Sequence, residues 1–494
     1  MTVTPSSPKT APYSGTDRDI IGLICAAVTF WLFGQTFLNV GPMIGKQVGM
    51  PDSVTTIAVS MGSLVCGMLI VMWGGLADSI GRMKILFIGN IFNIIGSVLI
   101  ACAMGGETAA TAMILTGRVF HGLAGGAITP NILAIGNTFW KGDKRARAIS
   151  FISMGTFGGL ALSSSVGGLI ASSPLGWRSI FIISTLFSVL SILLLRNVPE
   201  NKAERTEAFK PDIIGITSLA LSMIGLQLFI SQGGKIGWTS PIVLGFAGLF
   251  LVAGIIFIIT EKRVAQPLVN FSVFKSRTFT GAVSANFFMT TTAGIISVAL
   301  WVLQNGANIS PATSGYLTLG YAFCLLAFIR VGEKVMKKKG FRFPMILGTL
   351  IVLVSIISMM FTGVLASQYM VIVAIAFALY GFGLAMFATP STTAALTSLS
   401  PNMVGAGSGV FKMASSLGSA IGIALAATIF ATMQTTGTFI IGRVIKYSGR
   451  QDNIAVRDAA AIAFGVEAIF CIFAIVCIWV FIRNLETQTN MTKK

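Results

Sequence analysis

The sequence is poor in charged side chains and contains a single histidine, His121. Charged residues make up 10% of the chain, whereas a soluble domain usually carries about a quarter. One histidine and scattered acidic residues provide neither a multi-histidine metal site nor the clustered nucleophile, base and acid of a hydrolase. The chain also lacks a long polar segment that could fold as a catalytic domain. These shortages exclude a soluble enzyme and disfavour a membrane-embedded enzyme or sensor.

Two further shortages concern cofactors. The six cysteines lie within apolar runs, which is typical of small buried side chains and not of disulfides or metal ligands. The chain contains no glycine-rich phosphate-binding loop of the kind that ATPases use. We therefore predict no bound metal or other cofactor and no use of ATP.

Long apolar runs fill most of the chain instead. Hydrophobic residues make up 54% of it, and a helix needs about 20 apolar residues to cross the hydrocarbon core of a bilayer. The fold class is therefore an all-helical, multi-pass membrane protein. We predict fourteen spans, at residues 20–44, 53–73, 84–104, 110–137, 148–172, 178–196, 212–231, 240–260, 279–304, 312–334, 343–365, 369–396, 407–432 and 462–483.

Basic residues give the predicted orientation. The formal net charge is +18, and Lys and Arg concentrate in the predicted loops 141–147, 196–210, 262–277 and 334–342, which share one side of the membrane. Lys and Arg are retained on the cytoplasmic side, and an even number of spans places both termini there. The charge therefore reflects membrane topology, so we expect no nucleic-acid partner and a location in the plasma membrane.

The polar stretch between the second and third predicted spans has a distinctive pattern. It reads Gly74-Gly75-Leu76-Ala77-Asp78-Ser79-Ile80-Gly81-Arg82-Met83-Lys84. Glycines permit a sharp turn, and opposite charges lie at one bilayer surface, with the two bases favouring the cytoplasmic side. This pattern resembles the signature loop of the major facilitator superfamily. Its characteristic positions here are Gly74, Asp78, Gly81, Arg82 and Lys84.

The number of spans resembles one branch of that superfamily, the fourteen-helix drug:proton antiporters. The segments Trp177-Arg178-Ser179-Ile180-Phe181 and Gly405-Ala406-Gly407-Ser408-Gly409 resemble it too. The resemblance implies two six-helix bundles with two additional helices between them. The expected divisions are a cytoplasmic tail at 1–19, an N-terminal bundle at 20–200, two additional helices and linkers at 201–278, and a C-terminal bundle at 279–494 with an outer hairpin loop at 433–461.

The resemblance implies a membrane transporter that exports drug-like or amphiphilic small molecules in exchange for protons by alternating access. Such multidrug efflux confers antibiotic resistance. The implied partners are a small-molecule substrate, protons and the lipid bilayer, the implied energy source is the proton gradient, and we expect the monomer to be the functional unit. The alternative is a transporter of one specific small organic compound, an importer or a metabolite exporter, with non-standard proton coupling.

Two departures from the branch's pattern keep that alternative open. Gln35 in span 1 stands where close relatives have an aspartate implicated in proton coupling, and a glutamine cannot titrate. Span 5 keeps the glycines Gly159, Gly167 and Gly168 of the antiporter motif, but Ser163 and Ser164 replace its Gly-Pro pair. Because the family links this motif to the direction of transport, its erosion weakens the expectation of export.

Charged and polar groups inside spans are costly, and each is therefore a functional candidate. By resemblance, Arg118 in span 4 faces the cavity and affects proton handling; alternatively it ties span 4 to span 1, with Gln35 or helix carbonyls as acceptors. His121, where the family often has glutamine, either transfers a proton or replaces that glutamine in a hydrogen bond. Glu467, early in predicted span 14, either carries the proton or is solvated near the outer end.

The remaining candidates concern substrate and gating. Lys412 in span 13 either contacts an anionic substrate or a charge partner, or extends its ammonium to the cytoplasmic surface. Gln35 and Asn39 share a helix face, where they bind substrate or join two helices. Phe33 and Phe288 are predicted to line an apolar cavity for neutral or anionic amphiphiles. By resemblance, Asp78 latches the cytoplasmic gate by contacting the beginning of span 13.

Overall fold

The computed structural model describes residues 13–202, 212–264, 266–400, 403–436 and 453–482. All secondary structure in these ranges is helical, and fourteen helices are long and apolar enough to cross a membrane. The prediction of an all-helical protein with fourteen spans is confirmed. In chain order the spans are α1 Asp17–Val48, α2 Asp52–Ile80, α3 Arg82–Ala101, α4 Glu107–Phe139, α5 Arg147–Ser172, α6 Arg178–Leu195, α7 Ile213–Ile236, α8 Pro241–Glu261, α9 Arg277–Ala307, α10 Pro311–Lys339, α11 Arg342–Met359, α12 Ala366–Thr397, α13 Val404–Gln434 and α14 Ile454–Phe481.

Two predicted segments fall partly outside this description. The expected tail includes residues 1–12, and the expected outer hairpin includes residues 437–452, neither of which is among the described ranges. The start of α1 is described and is well defined by its sequence. The backbone N–H of Thr16 donates to the Asp19 carboxylate at 2.8 Å, and Asp19 donates its backbone N–H to the Thr16 hydroxyl. This reciprocal pair satisfies two donors that a helix start otherwise leaves without partners.

The signature stretch is helical, which corrects the predicted turn at 74–84. Residues 74–80 complete α2, and Arg82 already begins α3. Gly81 alone makes the turn, with φ 129° and ψ 135°, a backbone conformation that side chains with a Cβ rarely adopt. Hydropathy finds only the part of a helix inside the hydrocarbon core, so it misses turns that continue into the polar headgroup layer.

Adjacent spans are antiparallel, so the loops divide between the two ends of the molecule. The end where α2 finishes and α3 begins also carries the loops after α4, α6, α8 and α10, where Lys and Arg concentrate. We call this end the basic face. The end where α1 finishes and α2 begins is called the opposite face.

The spans before α7 and those after α8 each pack among themselves. In the first set, α4 packs on α2 and α3, and α1 on α6. In the second set, α12 packs on α10 and α11, and α9 on α13 and α14. Helix α7 touches both sets, through α2 and α13, and Gln227 donates to the Ser60 hydroxyl at 2.8 Å. Helix α8 packs on α7 and is otherwise mostly exposed, as expected for a lipid-facing helix.

The first span of each bundle is irregular at its centre. In α1 a wide helical turn at Thr29–Phe33 is followed by a tight one at Gly34–Thr36. In α9 the regular helix ends at Thr291 and resumes at Gly294. We call the segments beyond these breaks, Phe37–Val48 and Gly294–Ala307, the distal halves of α1 and α9. Irregular turns of this kind inside helices frequently occur at functional sites.

Candidate functional site

Arg118 is fully buried at the centre of the N-terminal bundle. Its guanidinium donates to the carbonyl oxygens of Ala58 at 2.7 Å, Gly34 at 2.6 Å and Val59 at 3.1 Å. The Gly34 carbonyl belongs to the irregular centre of α1, whereas the other two belong to α2. Arg118 therefore joins α4 to α1 and α2 through helix carbonyls, and Gln35 instead donates to the Ser63 hydroxyl at 3.4 Å.

His121 lies one turn further along α4 and is also fully buried. Its Nε2 is 3.0 Å from the Ser97 hydroxyl of α3, and its ring stacks on Phe181 of α6 at 5.9 Å. Nδ1 has no hydrogen-bond partner among the described residues. These contacts place His121 on the side of α4 that faces its own bundle, so it does not lie at the interface between the bundles.

Glu467 lies at the centre of α14, which corrects its predicted position near the outer end. The reason is that α14 begins at Ile454 and not at 462. The side chain is fully buried, and neither carboxylate oxygen has a hydrogen-bond partner in the part of the chain that the structure describes. A Cβ built on Gly294, at the break of α9, would lie 2.6 Å from Oε1 of Glu467, and equally close to the Gly422 carbonyl and the Ala426 Cβ of α13. Glu467 is thus an unpaired acid inside the C-terminal bundle.

Lys412 lies on α13, where that helix faces the other bundle. The side chain is half-buried, and Nζ lies 5.5 Å from the centre of the Phe157 ring of α5. Within the described ranges no carboxylate pairs with it. Lys412 is therefore a cation at the bundle interface, held against an aromatic ring.

Near the opposite face, the distal halves of α1 and α9 bind each other. Gln304 donates to the Asn39 side-chain oxygen at 2.6 Å, and Trp301 donates its indole N–H to the Leu38 carbonyl at 3.0 Å. Asn39 and Trp301 are buried, and Gln304 is half-buried. These contacts link residues more than 260 positions apart, because each connects one bundle to the other.

Helices α5 and α10 extend this contact. Asn39 donates to the Ser164 carbonyl of α5 at 2.6 Å and to the Pro311 carbonyl of α10 at 3.0 Å. Ser165 donates to the Gly315 carbonyl of α10 at 2.8 Å. We call this closed cross-bundle cluster the polar latch. Its members are Leu38, Asn39, Ser164, Ser165, Trp301, Gln304, Pro311 and Gly315.

The altered antiporter motif on α5 contributes to the polar latch. Gly159 and Gly167 pack against α1, and Gly168 packs against the carbonyl of Pro311, where a Cβ would collide. Ser163 donates to a carbonyl of its own helix at 2.7 Å, whereas Ser164 supplies the carbonyl that Asn39 binds. Sequence reasoning identified these positions but missed Trp301, Gln304 and Ser165. No local pattern marks them, because their partners lie in other helices.

At the basic face, the signature residues form a compact polar turn. Arg82 donates to the Asp78 carboxylate through Nη2 at 3.0 Å and Nε at 3.1 Å. Glu200, which follows α6, accepts the backbone N–H groups of Met83 at 2.9 Å and Lys84 at 3.0 Å. A carboxylate at a helix N-terminus is favourable. Sequence reasoning missed Glu200, which lies far along the chain from the motif.

The beginning of α13 lies beside α2. A Cβ at Gly409 would contact Val71 of α2 at 3.4 Å. Gly74, the first residue of the signature stretch, faces Pro130 of α4. The contact of Asp78 with Gly405–Gly409 expected from the resemblance stays a prediction.

The two aromatic residues expected in a substrate cavity, Phe33 and Phe288, contact other rings within their own bundles. Phe33 lies 5.3 Å from Phe187 of α6, inside the N-terminal bundle. Phe288 packs with Phe470 and Phe473 of α14, and Phe473 is 47% exposed on the outer surface. That Phe33 and Phe288 line a substrate cavity stays a prediction, because apolar side chains face lipid and bundle interiors as readily as they face a cavity.

Two helical bundles that embed in lipid and close upon each other at one face define a membrane transporter. The chain belongs to the Major Facilitator Superfamily, whose family model matches residues 20–423. It is 34% identical over 438 residues to the quinolone resistance protein NorB of Staphylococcus aureus strain MRSA252, covering 89% of this chain and 93% of that protein. The NorB protein of strain Newman gives the same identity and coverage.

Solved structures show the same fold. A POT family transporter in complex with 5-aminolevulinic acid matches with a TM-score of 0.66 and 13% identity, over 96% of this chain and 99% of that one. A D-xylose-proton symporter matches with a TM-score of 0.62 and 14% identity, over 94% and 96%. The family and the fold indicate a transporter and not an enzyme.

Proposed function

We propose that the protein is a proton-coupled exporter of drug-like or amphiphilic small molecules in the plasma membrane. Family membership and the similarity to a protein named for quinolone resistance support this proposal. The basic face is the cytoplasmic side, with both termini, because Lys and Arg concentrate in its loops. The monomer is the functional unit, since one chain supplies both bundles.

The observation that carries the proposal is the polar latch. Alternating access requires two bundles that close at one face while the shared site opens toward the other. The hydrogen bonds from Asn39 to the Pro311 carbonyl and from Gln304 to the Asn39 side-chain oxygen join the bundles and close the opposite face. Opening that face requires these hydrogen bonds to break, and each exchanges a protein partner for water at a modest net cost.

The position of Lys412 indicates which chemical class of substrate the protein binds. Arg118 already donates to three carbonyls, so its guanidinium is occupied by the protein. Lys412 is the interface cation without a carboxylate partner among the described residues, and it lies against Phe157. A planar aromatic amphiphile with an anionic or neutral polar group matches this pair, since the ring stacks on Phe157 and the polar group meets the ammonium.

The test is substrate movement in everted membrane vesicles with an imposed proton gradient. Export by proton exchange predicts that vesicles acidified inside accumulate the substrate, and that a protonophore abolishes the accumulation. Candidate substrates come first from a thermal-shift screen of the purified protein. Accumulation that ignores the proton gradient would contradict the proposal. Proton-driven movement out of everted vesicles would favour the alternative, an importer of a specific compound.

A further inference from the structure

The environment of Glu467 accommodates a neutral carboxyl group and not a carboxylate. Both oxygens are buried and without hydrogen-bond donors in the described chain. An ionised carboxyl without water or a partner is strongly disfavoured inside a membrane protein. The closed structure is therefore the structure of the protein with a proton on Glu467.

The space between Gly294 and Oε1 of Glu467 is too small for a metal ion, and the described residues contain no group of three or more His, Cys, Asp or Glu side chains that could hold one. A methyl group added at Gly294 would lie 2.6 Å from Glu467 Oε1, from the Gly422 carbonyl and from the Cβ of Ala426. A metal ion with its ligands needs more space than that methyl group, whereas a proton needs none. The chemistry of the site thus selects a proton over a sodium or larger cation.

Among the titratable groups near Glu467, Glu467 itself is the carboxylic acid. On α14 the titratable neighbour is Cys471, one turn away, and α12 contributes the Tyr380 phenol. Tyr380 is 3.1 Å from the Thr292 hydroxyl at the break of α9. Within the described residues of α9, α11 and α13, no charged side chain pairs with Glu467.

The break of α9 connects this site to the polar latch. Gly294, against which the carboxyl packs, is the first residue of the distal half of α9. The same half-helix carries Trp301 and Gln304, which bind the distal half of α1. Loss of the proton would leave a carboxylate that requires water or a donor, and Gly294 must then move away to admit one.

We propose that Glu467 binds the transported proton and that its protonation holds the distal half of α9 in the position that closes the polar latch. The inference rests on the proposed proton-coupled function. Protonation favours closure of the opposite face, and deprotonation favours its opening. The proton is thus taken up from the opposite side before that side closes.

The test uses a distance reporter across the opposite face. Lys46 is exposed and Asn305 is half-buried, with Nζ and Oδ1 3.3 Å apart, and they belong to the two distal halves. Spin labels on K46C and N305C, with the native accessible cysteines replaced by serine, report opening of this face. Wild type is expected to show short distances in acidic buffer and a growing long-distance population in alkaline buffer. In Glu467→Gln the short distance should persist at every pH.

Transport assays distinguish failure of the proposed proton-coupled function from failure of the assignment of Glu467 as the proton-binding residue. In proteoliposomes, Glu467→Gln should reduce proton-driven transport to the level of protein-free liposomes while keeping substrate binding. Glu333→Gln removes an exposed acid near the basic end of α10 and should leave both readouts unchanged. If wild type itself ignores the proton gradient, the proposed function fails. If wild type responds and Glu467→Gln responds equally, the assignment of Glu467 fails.

Glu467→Asp keeps the inference testable if the glutamine variant does not fold. It retains an acid but withdraws the carboxyl from Gly294 by one methylene. The distance change should persist, with its midpoint at a different pH. An unchanged midpoint would show that another group titrates, and a Glu467→Gln protein whose distances still follow pH as in wild type would overturn the coupling.

Discussion

The two bundles each place an ionisable side chain beside the irregular centre of their first span, but the two side chains differ in their hydrogen-bond partners. Arg118 meets the irregular centre of α1 and donates to three carbonyl oxygens. Glu467 meets the break of α9 and has no hydrogen-bond partner within the described chain. A charge with all its partners fixes a structure, whereas an acid without partners is stable only when neutral. The comparison assigns a structural role to the first bundle's charge and a switching role to the second's.

The helix segments beyond the irregular centres of α1 and α9 meet in the polar latch. The distal half of α1 carries Asn39 and the distal half of α9 carries Gln304, and these side chains bind each other at 2.6 Å. The distal half of α1 is fixed and holds Asn39 against α5 and α10. The position of the distal half of α9 depends on whether Glu467 is protonated. Because only the distal half of α9 responds to a titratable group, protonation of Glu467 alone is sufficient to open or close the opposite face.

The largest expected effect is on folding, in Arg118→Ala. Removing the guanidinium deletes three buried hydrogen bonds from a charged donor, which should cost at least about 3 kcal/mol of unfolding free energy. Glu467→Gln, which breaks no hydrogen bond, should change it by less than about 1 kcal/mol. Thermal unfolding in detergent measures both, and equal losses of stability would remove the distinction between the bundles.

The next effect concerns the polar latch. Asn39→Ala removes the cross-bundle hydrogen bonds to Pro311 and Gln304, which exist only when the opposite face is closed, so the open population should rise about fivefold for each 1 kcal/mol lost. The spin-label pair at positions 46 and 305 measures that population. Gln304→Ala should act in the same direction, and the double variant should add less than the sum because the two residues bind each other. Full additivity would contradict a direct contact.

A smaller and selective effect is expected for Lys412→Gln. Affinity for anionic aromatic substrates should fall about tenfold, and affinity for neutral ones should stay within about twofold. Lys412→Arg serves as the control, because it keeps the charge beside Phe157. Ligand titration followed by tryptophan fluorescence gives the affinities. Equal losses for both substrate classes would show that Lys412 only packs the interface.

The smallest effect on stability is expected for Asp78→Asn. The pair with Arg82 is partly exposed and contributes at most about 1 kcal/mol. Folded yield should therefore be nearly normal, while turnover falls several-fold if Asp78 latches the basic face. Initial transport rates in proteoliposomes measure turnover, and a normal rate would reduce the motif to a stable turn.

Hydropathy was sufficient for the spans, because crossing the hydrocarbon core requires a long apolar helix wherever it occurs. It placed Glu467 wrongly because the first turns of α14 contain Arg457 and Asp458 and look like a loop. In the structure Arg457 donates to the Val364 carbonyl at 3.0 Å, so these charges are compatible with a helix.

The polar latch could not be predicted at all from local patterns. Trp301 and Gln304 resemble ordinary interfacial residues until α1 is placed beside them. The same applies to Arg118, whose type was a clear signal but whose acceptors depend on the irregular turn at Gly34. Whether a buried ionisable side chain has hydrogen-bond partners depends on contacts between helices that are distant in the chain. A single sequence does not reveal those contacts.

The central claim is that the unpaired carboxyl of the C-terminal bundle takes up and releases the transported proton. Proton release on substrate addition to the purified protein in weakly buffered detergent, followed with a pH-sensitive dye, tests it most directly. Wild type and Glu333→Gln should release about one proton per bound substrate, and Glu467→Gln should release none while still binding. Undiminished release from Glu467→Gln would contradict the account.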